Sequence, residues 1–497
     1  MTILKRKPSL LLWLIVILYC LLGTLYAIQT PRWQTPDEPA HFNYVQYVAQ
    51  NSRFPVLQVG DYPAQYLEEI KAARFPPHMP IASIRYESHQ PPLYYVLAAI
   101  LYRLTAGLPF QVQFVTLRLF SVALGAALLI IAYRLVRDIF PDEQFLALAT
   151  AGFIAVVPMH IALTAAINND TLAELLLMMI VWQSIRAIQK GFSQRQALTI
   201  GILLGLALLT KTTVYLPAVG AVLLALYVRH CRRVMATAVA QDGVRTTALT
   251  LGPALLMAAP WLVRNALVYG NWDFLGWKRH ELVVAGQLRS AELLARIGPL
   301  NLARQFLLTT FRSFWAQFGW MGVPVDQRIY LGLALLSAIL CLGWLIFVTK
   351  VWRGIIKLEA TQSLALMLLS VSVLLTLTTY LGYNLGFAQH QGRYLFPALG
   401  PLGVGAALSL RELLQAGTAR KLTVLLLLLG LAVLGLGLWR GGVSKWGLAL
   451  LIANAALWGS AGWLPRRWRW LLPAALYCAL LALDAVCLFV YVVPFLR

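Results

Sequence analysis

Acidic residues are scarce in this chain: 19 Asp and Glu stand against 41 Lys and Arg among 497 residues, and charged residues of both signs make up only 12%. An ordinary soluble domain carries about 25% charged residues, so a string of soluble domains, which the length alone would suit, is excluded. Disorder requires low hydrophobicity and is excluded too, because 60% of the residues are hydrophobic and the mean hydropathy is +0.71. Cysteine is equally sparse. Cys20, Cys341, Cys478 and Cys487 sit inside apolar runs and Cys231 in a basic stretch. With no CxxC spacing, neither a disulfide framework nor a thiolate zinc site is indicated. No Ser/Gly-rich linker and no fixed-period repeat divides the chain.

What the chain has in abundance is long apolar runs. The first follows the basic cluster Lys5-Arg6-Lys7 and extends from about Ser9 to Ile28. Roughly twenty residues suffice to cross a bilayer and exceed a signal-peptide core, so this run is expected to be a retained helix. Twelve more centre near residues 123, 154, 180, 204, 221, 256, 338, 373, 402, 430, 455 and 482. Those near 204 and 221 are short and separated by Leu209-Thr210-Lys211-Thr212, which suits one broken pair. The pattern predicts an all-α polytopic membrane protein with about 13 transmembrane helices. Two long loops, about 29–112 and about 265–327, are expected to carry juxtamembrane helices.

The net charge of +22 would point to nucleic acid in a soluble protein. Here it is first a matter of topology. If the short apolar segment Pro92–Leu104 lies in the interface, the short loops on the N-terminal side collect most of the cations. They hold Lys5, Arg6 and Lys7, then Arg134 and Arg137, then Arg186, Lys190 and Arg195, then Arg229, Arg232, Arg233 and Arg245. Lys350, Arg353 and Lys357, then Arg411, Arg420 and Lys421, then Arg466, Arg467 and Arg469 complete that side. The other side holds only Lys211, Arg393, Arg440, Lys445 and Arg497. The positive-inside rule then places the N-terminus in the cytoplasm, the chain in the plasma (inner) membrane, and both long loops outside. Membrane lipids are implied as partners, and nucleic acid is not. Ten acids (Asp37, Glu38, Asp61, Glu68, Glu69, Glu87, Asp273, Glu281, Glu292 and Asp326) fall in the two outer loops, so chemistry is expected there.

The first loop opens Thr35-Pro36-Asp37-Glu38-Pro39-Ala40-His41. Thr35 and Glu38 have the spacing of a capping box with Pro36 at the first helical position. A carboxylate on such a helix start is also placed to act as a general base, and His41 shares a face with Asp37 and Glu38. The loop closes Tyr86-Glu87-Ser88-His89-Gln90-Pro91-Pro92-Leu93-Tyr94-Tyr95. Glu87 and His89, with His41, are the candidates for a divalent-cation or phosphate environment. Asn168-Asn169-Asp170-Thr171 opens another helix, with Thr171 and Glu174 as a second capping box. Gln389-His390-Gln391-Gly392-Arg393-Tyr394-Leu395-Phe396-Pro397 carries one cation, Arg393, suited to bidentate phosphate contact. Arg264 leads into the second, Trp- and Phe-rich basic loop, a candidate lipid-phosphate surface.

These segments resemble the GT-C glycosyltransferases. The Asp-Glu pair after the first span, His-x-Pro-Pro-Leu-Tyr-Tyr, the Asn-Asp helix start and Gln-Gly-Arg-Tyr-Leu-Phe-Pro are similar to the protein O-mannosyltransferase and lipid A aminoarabinose transferase branch. The likeness runs over roughly 1–410, the expected catalytic module, and leaves 411–497 as C-terminal transmembrane helices with no soluble domain. It implies glycosyl transfer from a polyprenyl-phosphate-linked hexose or pentose to an acceptor hydroxyl of a lipid, glycan or protein on the outer face, with inversion. By resemblance Asp37 is the base with Glu38 beside it, and Asp170 the acid of the third span. His89 and Arg393 match segments near the donor phosphate, where Lys211 and Arg264 are further candidates. Gln90 stands where some lipid A transferases have Lys, and no MIR-type insertion separates the later spans. The alternative is a transporter or flippase of a lipid-linked sugar. Transporters usually place ionisable groups at mid-membrane in paired repeats, and here only Asp484 and Lys211 read that way.

Overall fold

The computed structural model describes residues 8–235 and 241–497; the Lys5-Arg6-Lys7 cluster lies outside the described residues. The chain is helical nearly throughout. After α1 (Pro8–Gln29) the first loop holds α2 (Glu38–Asn51), α3 (Ala64–Ala72), a 3-10 turn at Tyr86–His89, and α4 (Leu93–Leu104). Next come α5 (Phe110–Ile139), α6 (Gln144–Ala155), α7 (Pro158–Thr164), α8 (Asp170–Lys190), α9 (Gln194–Leu208), α10 (Tyr215–Met235) and α11 (Gln241–Tyr269). The second loop carries α12 (Trp277–Val283), α13 (Ser290–Trp315) and a small antiparallel hairpin pairing Gln317–Phe318 with Val323–Pro324. The remainder is α14 (Gln327–Trp352), α15 (Ala360–Gly386), α16 (Leu399–Leu413), α17 (Ala416–Trp439), α18 (Lys445–Trp463) and α19 (Leu471–Val486), the last continued by a π-helical turn.

Each apolar run of the sequence is a helix, but they are not all equivalent. Nine among the described residues are long and apolar enough to cross a membrane, and a tenth is so if the bent pair α6–α7 counts as one span. That pair turns by 68° where Val157-Pro158 interrupts it, because proline cannot continue a preceding helix and pushes the residue before it out of the helical region. The runs near 204, 402 and 455 form helices of 15, 15 and 19 residues. Fifteen residues rise about 22 Å, short of a ~30 Å hydrocarbon core. The pair near 204 and 221 is broken as expected, with Lys211 in the break.

Side-chain chemistry explains which helices lie inside. Leu14, Ile17 and Leu21 on α1 and Leu427, Leu428 and Leu431 on α17 are exposed, which is stable only against lipid. The most buried span is α8, 78% inside the protein and packed against α5, α9, α10 and α15. It is the central post, and its first residue is Asp170. With 12 residues, α4 is too short to cross; it lies on α2, with Tyr44 and Tyr95 stacked at 3.7 Å. Its Leu93 N–H donates to Leu209 O at 2.8 Å, fastening the first loop to the α9–α10 break. Asp484, in α19, is fully buried with neither carboxylate oxygen partnered.

Candidate active site

The site begins with a backbone feature. Asp37 adopts a left-handed conformation (φ 67°), which Asp tolerates better than most residues, so α2 starts at Glu38. The capping box expected at Thr35 and Glu38 does not form, because the helix entry receives no side-chain hydrogen bond. Glu38 is drawn away by Arg118 of α5, whose Nε and Nη2 donate to its two oxygens at 2.8 and 2.7 Å. The backbone N–H groups of Trp33 and Ile167 donate to the same carboxylate. Arg118 also donates to Ala27 O, Thr30 O and Pro31 O. Both side chains are fully buried, where an ion pair persists only if its remaining hydrogen-bonding capacity is met. Glu38 therefore clamps the exit of α1, the start of α2 and the α7–α8 turn, and both its oxygens are engaged in doing so.

Asp37, one residue earlier, points the other way. Its Oδ2 accepts from Arg393 Nη2 at 2.6 Å and its Oδ1 from the Tyr86 hydroxyl at 2.7 Å. Burial would raise this carboxyl, but Arg393, His41 and the Tyr86 hydroxyl outweigh it and hold it at about 2. A carboxyl lowered in the folded state contributes stability that is complete above its ordinary value of 3.8 and is lost as the pH falls through about 2. Asp37 is accordingly expected to remain ionised at pH 4, which an infrared difference spectrum between wild type and Asp37→Asn checks directly.

Arg393 reaches Asp37 because Gly392 lies against α13. Its N–H donates to Ser313 Oγ at 2.7 Å, and a Cβ there would sit 2.3 Å from Thr310 O and 2.4 Å from Phe314 N. Both obstacles are backbone, so the strain cannot be relieved by a side-chain movement. Gly392→Ala is expected to lower stability by about 1–3 kcal/mol and to move Arg393 off Asp37; thermal unfolding in detergent measures the first effect.

Asp170 binds Lys211 of the α9–α10 break at 2.8 Å, and the same ammonium donates to Asn169 Oδ1 at 3.0 Å. Arg393 and His41 lie within electrostatic reach of Asp170, so the two carboxylate–cation pairs face each other. The second capping box is also absent: Glu174 turns to His160 Nε2 at 2.9 Å. Around this centre stand His41, whose Nδ1 meets the Tyr95 hydroxyl at 2.8 Å, and Glu87. Burial, then neighbouring Asp37, raise the Glu87 carboxyl against His41 and Lys211. Its Oε2 is buried without a partner.

His89 donates from Nδ1 to Tyr86 O, and its ring lies 4.5 Å from that of His280 on α12. Burial pushes both imidazoles down, His89 to about 4 and His280 to about 3, so both are neutral near pH 7. His41, Glu87 and His89 are not gathered as a ligand set, since the first two imidazole contacts go to Tyr95 and Tyr86. Among the described residues no group of three or more His, Cys, Asp or Glu is arranged to hold a metal ion. Arg264 is engaged at the flank: it donates to Pro55 O and Asn265 Oδ1 and lies over Trp261. Thus Asp37, Asp170, Lys211 and Arg393 come together, His41, Glu87 and His89 border them, Glu38 supports from behind, and Arg264 is directed to loop backbone. Arg118, Tyr86 and His280 are participants that motif spacing did not mark.

Residues 89–263 match the family model of dolichyl-phosphate-mannose-protein mannosyltransferases. No curated protein sequence matches the chain. Among solved structures, ArnT from Cupriavidus metallidurans in the apo state superposes with a TM-score of 0.54 at 13% identity, over 96% of this chain and 76% of that one. The same enzyme bound to undecaprenyl phosphate gives 0.49 at 13% identity, over 95% and 77%. The oligosaccharyltransferase of Archaeoglobus fulgidus in the apo form gives 0.46 at 15% identity over 95% of this chain, which spans 56% of its length. A family match across the span from His89 to Val263 and a fold shared with ArnT along nearly the whole chain bear out the resemblance to the GT-C glycosyltransferases of the ArnT-like branch.

Proposed function

We propose that the protein transfers a hexosyl or pentosyl group from a polyprenyl-phosphate-linked sugar to an acceptor hydroxyl at the outer face of the membrane, with inversion. The observation that carries this reading is the Asp37–Arg393 bridge. It sets an ionised carboxylate beside a guanidinium whose Nε is buried and unpartnered. A phosphate satisfies that nitrogen, and Arg is the side chain best shaped for it. Lys211, steadied by Asp170, adds a second positive charge. His89, neutral and with its Nδ1–H given to Tyr86 O, offers only Nε2 as an acceptor, suited to a hydroxyl rather than a phosphate oxygen.

In the reaction, Asp37 takes the proton of the acceptor hydroxyl as its oxygen attacks the anomeric carbon. The bond from that carbon to the phosphate oxygen breaks, and its electron pair leaves with the polyprenyl phosphate. Arg393 and Lys211 stabilise the charge that develops there. Pairing with Arg393 suppresses the basicity of Asp37, so a phosphate that draws the guanidinium away restores it. Donor binding and base activation are thereby linked. No step is routed through a metal, for which the described residues offer no ligand set.

The test supplies purified protein in proteoliposomes with labelled polyprenyl-phosphate sugars and cell-envelope acceptors. Label passing from donor to acceptor is the expected result. Consumption of none of the donors overturns the reading, and translocation of the donor without acceptor would favour a flippase instead.

A further inference from the structure

Beyond the charged centre, one short segment carries two buried acceptor atoms that stand unsatisfied. Glu87 Oε2 and Gln90 Oε1 have no hydrogen-bond partner, the Gln90 side chain is only 8% exposed, and it lies beside the Glu87 carboxyl. Both come from the short segment that also supplies Tyr86, the residue bonded to Asp37. Tyr383, near the end of α15, lies within electrostatic reach of Glu87, Asp37 and Arg393. Its ring meets that of Tyr394 at 5.6 Å, and Arg393 lies over Tyr394 at 5.2 Å. Unsatisfied carboxyl and amide oxygens in the same neighbourhood as two tyrosine rings, a base and a cation have the chemistry that reads a sugar ring. Hydroxyl groups donate to the oxygens, and the C–H face of the ring lies on the tyrosines.

We infer that Glu87 and Gln90 form the glycosyl subsite of this enzyme, accepting hydrogen bonds from neighbouring hydroxyls of the transferred sugar and so setting which sugar is accepted. The inference rests on the proposed transfer reaction and adds to it the recognition of the sugar itself. Neither residue takes part in the displacement. A site built to bind a hydroxyl rejects the analogue lacking it strongly, because its own buried polar groups are then left unpaired. Removing the acceptor atom removes that discrimination.

The experiment measures binding to the full-length protein of two kinds of probe: undecaprenyl phosphate alone, and undecaprenyl phosphate carrying a hexose or its singly deoxygenated analogues. In wild type at least one deoxy analogue is expected to bind at least tenfold more weakly than its parent sugar. Glu87→Ala and Gln90→Ala are each expected to bring that ratio close to one while leaving the affinity for undecaprenyl phosphate within about twofold. Loss of affinity for both probes together would show that the residue supports the fold, and an unchanged ratio in both variants would show that the sugar is read elsewhere; either result overturns the proposal. A wild type that fails to bind undecaprenyl phosphate at all would instead defeat the underlying transfer reading.

Discussion

Asparagine at position 37 is expected to slow glycosyl transfer by about a thousandfold in a protein that remains folded. A positioned base contributes roughly 10²–10⁴-fold, and Asn cannot take a proton. The geometry should survive, since the amide oxygen still accepts from Arg393 and the substitution preserves size. The informative readout is the split between kcat and KM. Arg393, relieved of its counter-ion, becomes freer to hold a phosphate, so KM for the lipid-linked donor should stay level or fall while kcat collapses. Wild-type turnover by folded Asp37→Asn protein would remove Asp37 as the proton acceptor, and a rise in KM at unchanged kcat would make it a binding residue.

The second large effect concerns folding. Arg118→Met is expected to destabilise the protein by about 3–5 kcal/mol, the range for stripping one partner from a buried ion pair. Glu38 would then keep an uncompensated charge with only the Trp33 and Ile167 N–H groups for company. Arg118→Met combined with Glu38→Met should recover much of the loss, because a buried pair replaced by apolar side chains is often tolerated. Thermal unfolding of the two variants in detergent measures this. A single variant as stable as wild type would mean that the clamp contributes nothing. The double variant should nevertheless transfer poorly, since nothing would then fix the left-handed turn that aims Asp37.

These two predictions mark where sequence legibility ended. Asp37, Asp170 and Arg393 stood out because each lies at the edge of an apolar run, where a charge is unusual and position alone carries meaning. Lys211 stood out as a cation between two short runs. Glu38 looked like a helix cap because its spacing from Thr35 is right, yet local spacing carries no information about a partner eighty residues away. The one available signal was Arg118 itself. An arginine inside the apolar run centred on residue 123 demands an acid if it is buried, but the sequence does not say which one. Tyr86 and Tyr383 left no trace, since tyrosines at helix ends are ordinary interfacial anchors. The helix inventory was legible because hydropathy is local. Which helices cross the bilayer was less so, since the bend at Pro158 and the 15-residue helices depend on what packs around them.

Asp37 and Arg393 are 356 residues apart in the chain, and that separation bears on how the protein is made. At about 5–20 residues per second, on the order of 20–70 s of synthesis elapse between the two. Throughout that interval Asp37 has no Arg393 to meet, although Glu38 beside it can already pair with Arg118. A chain halted before residue 393 would hold the clamp at Glu38 and Arg118, while Asp37 would keep the Tyr86 hydroxyl but lack its cation. The charged centre is therefore complete only once residue 393 has been made and inserted.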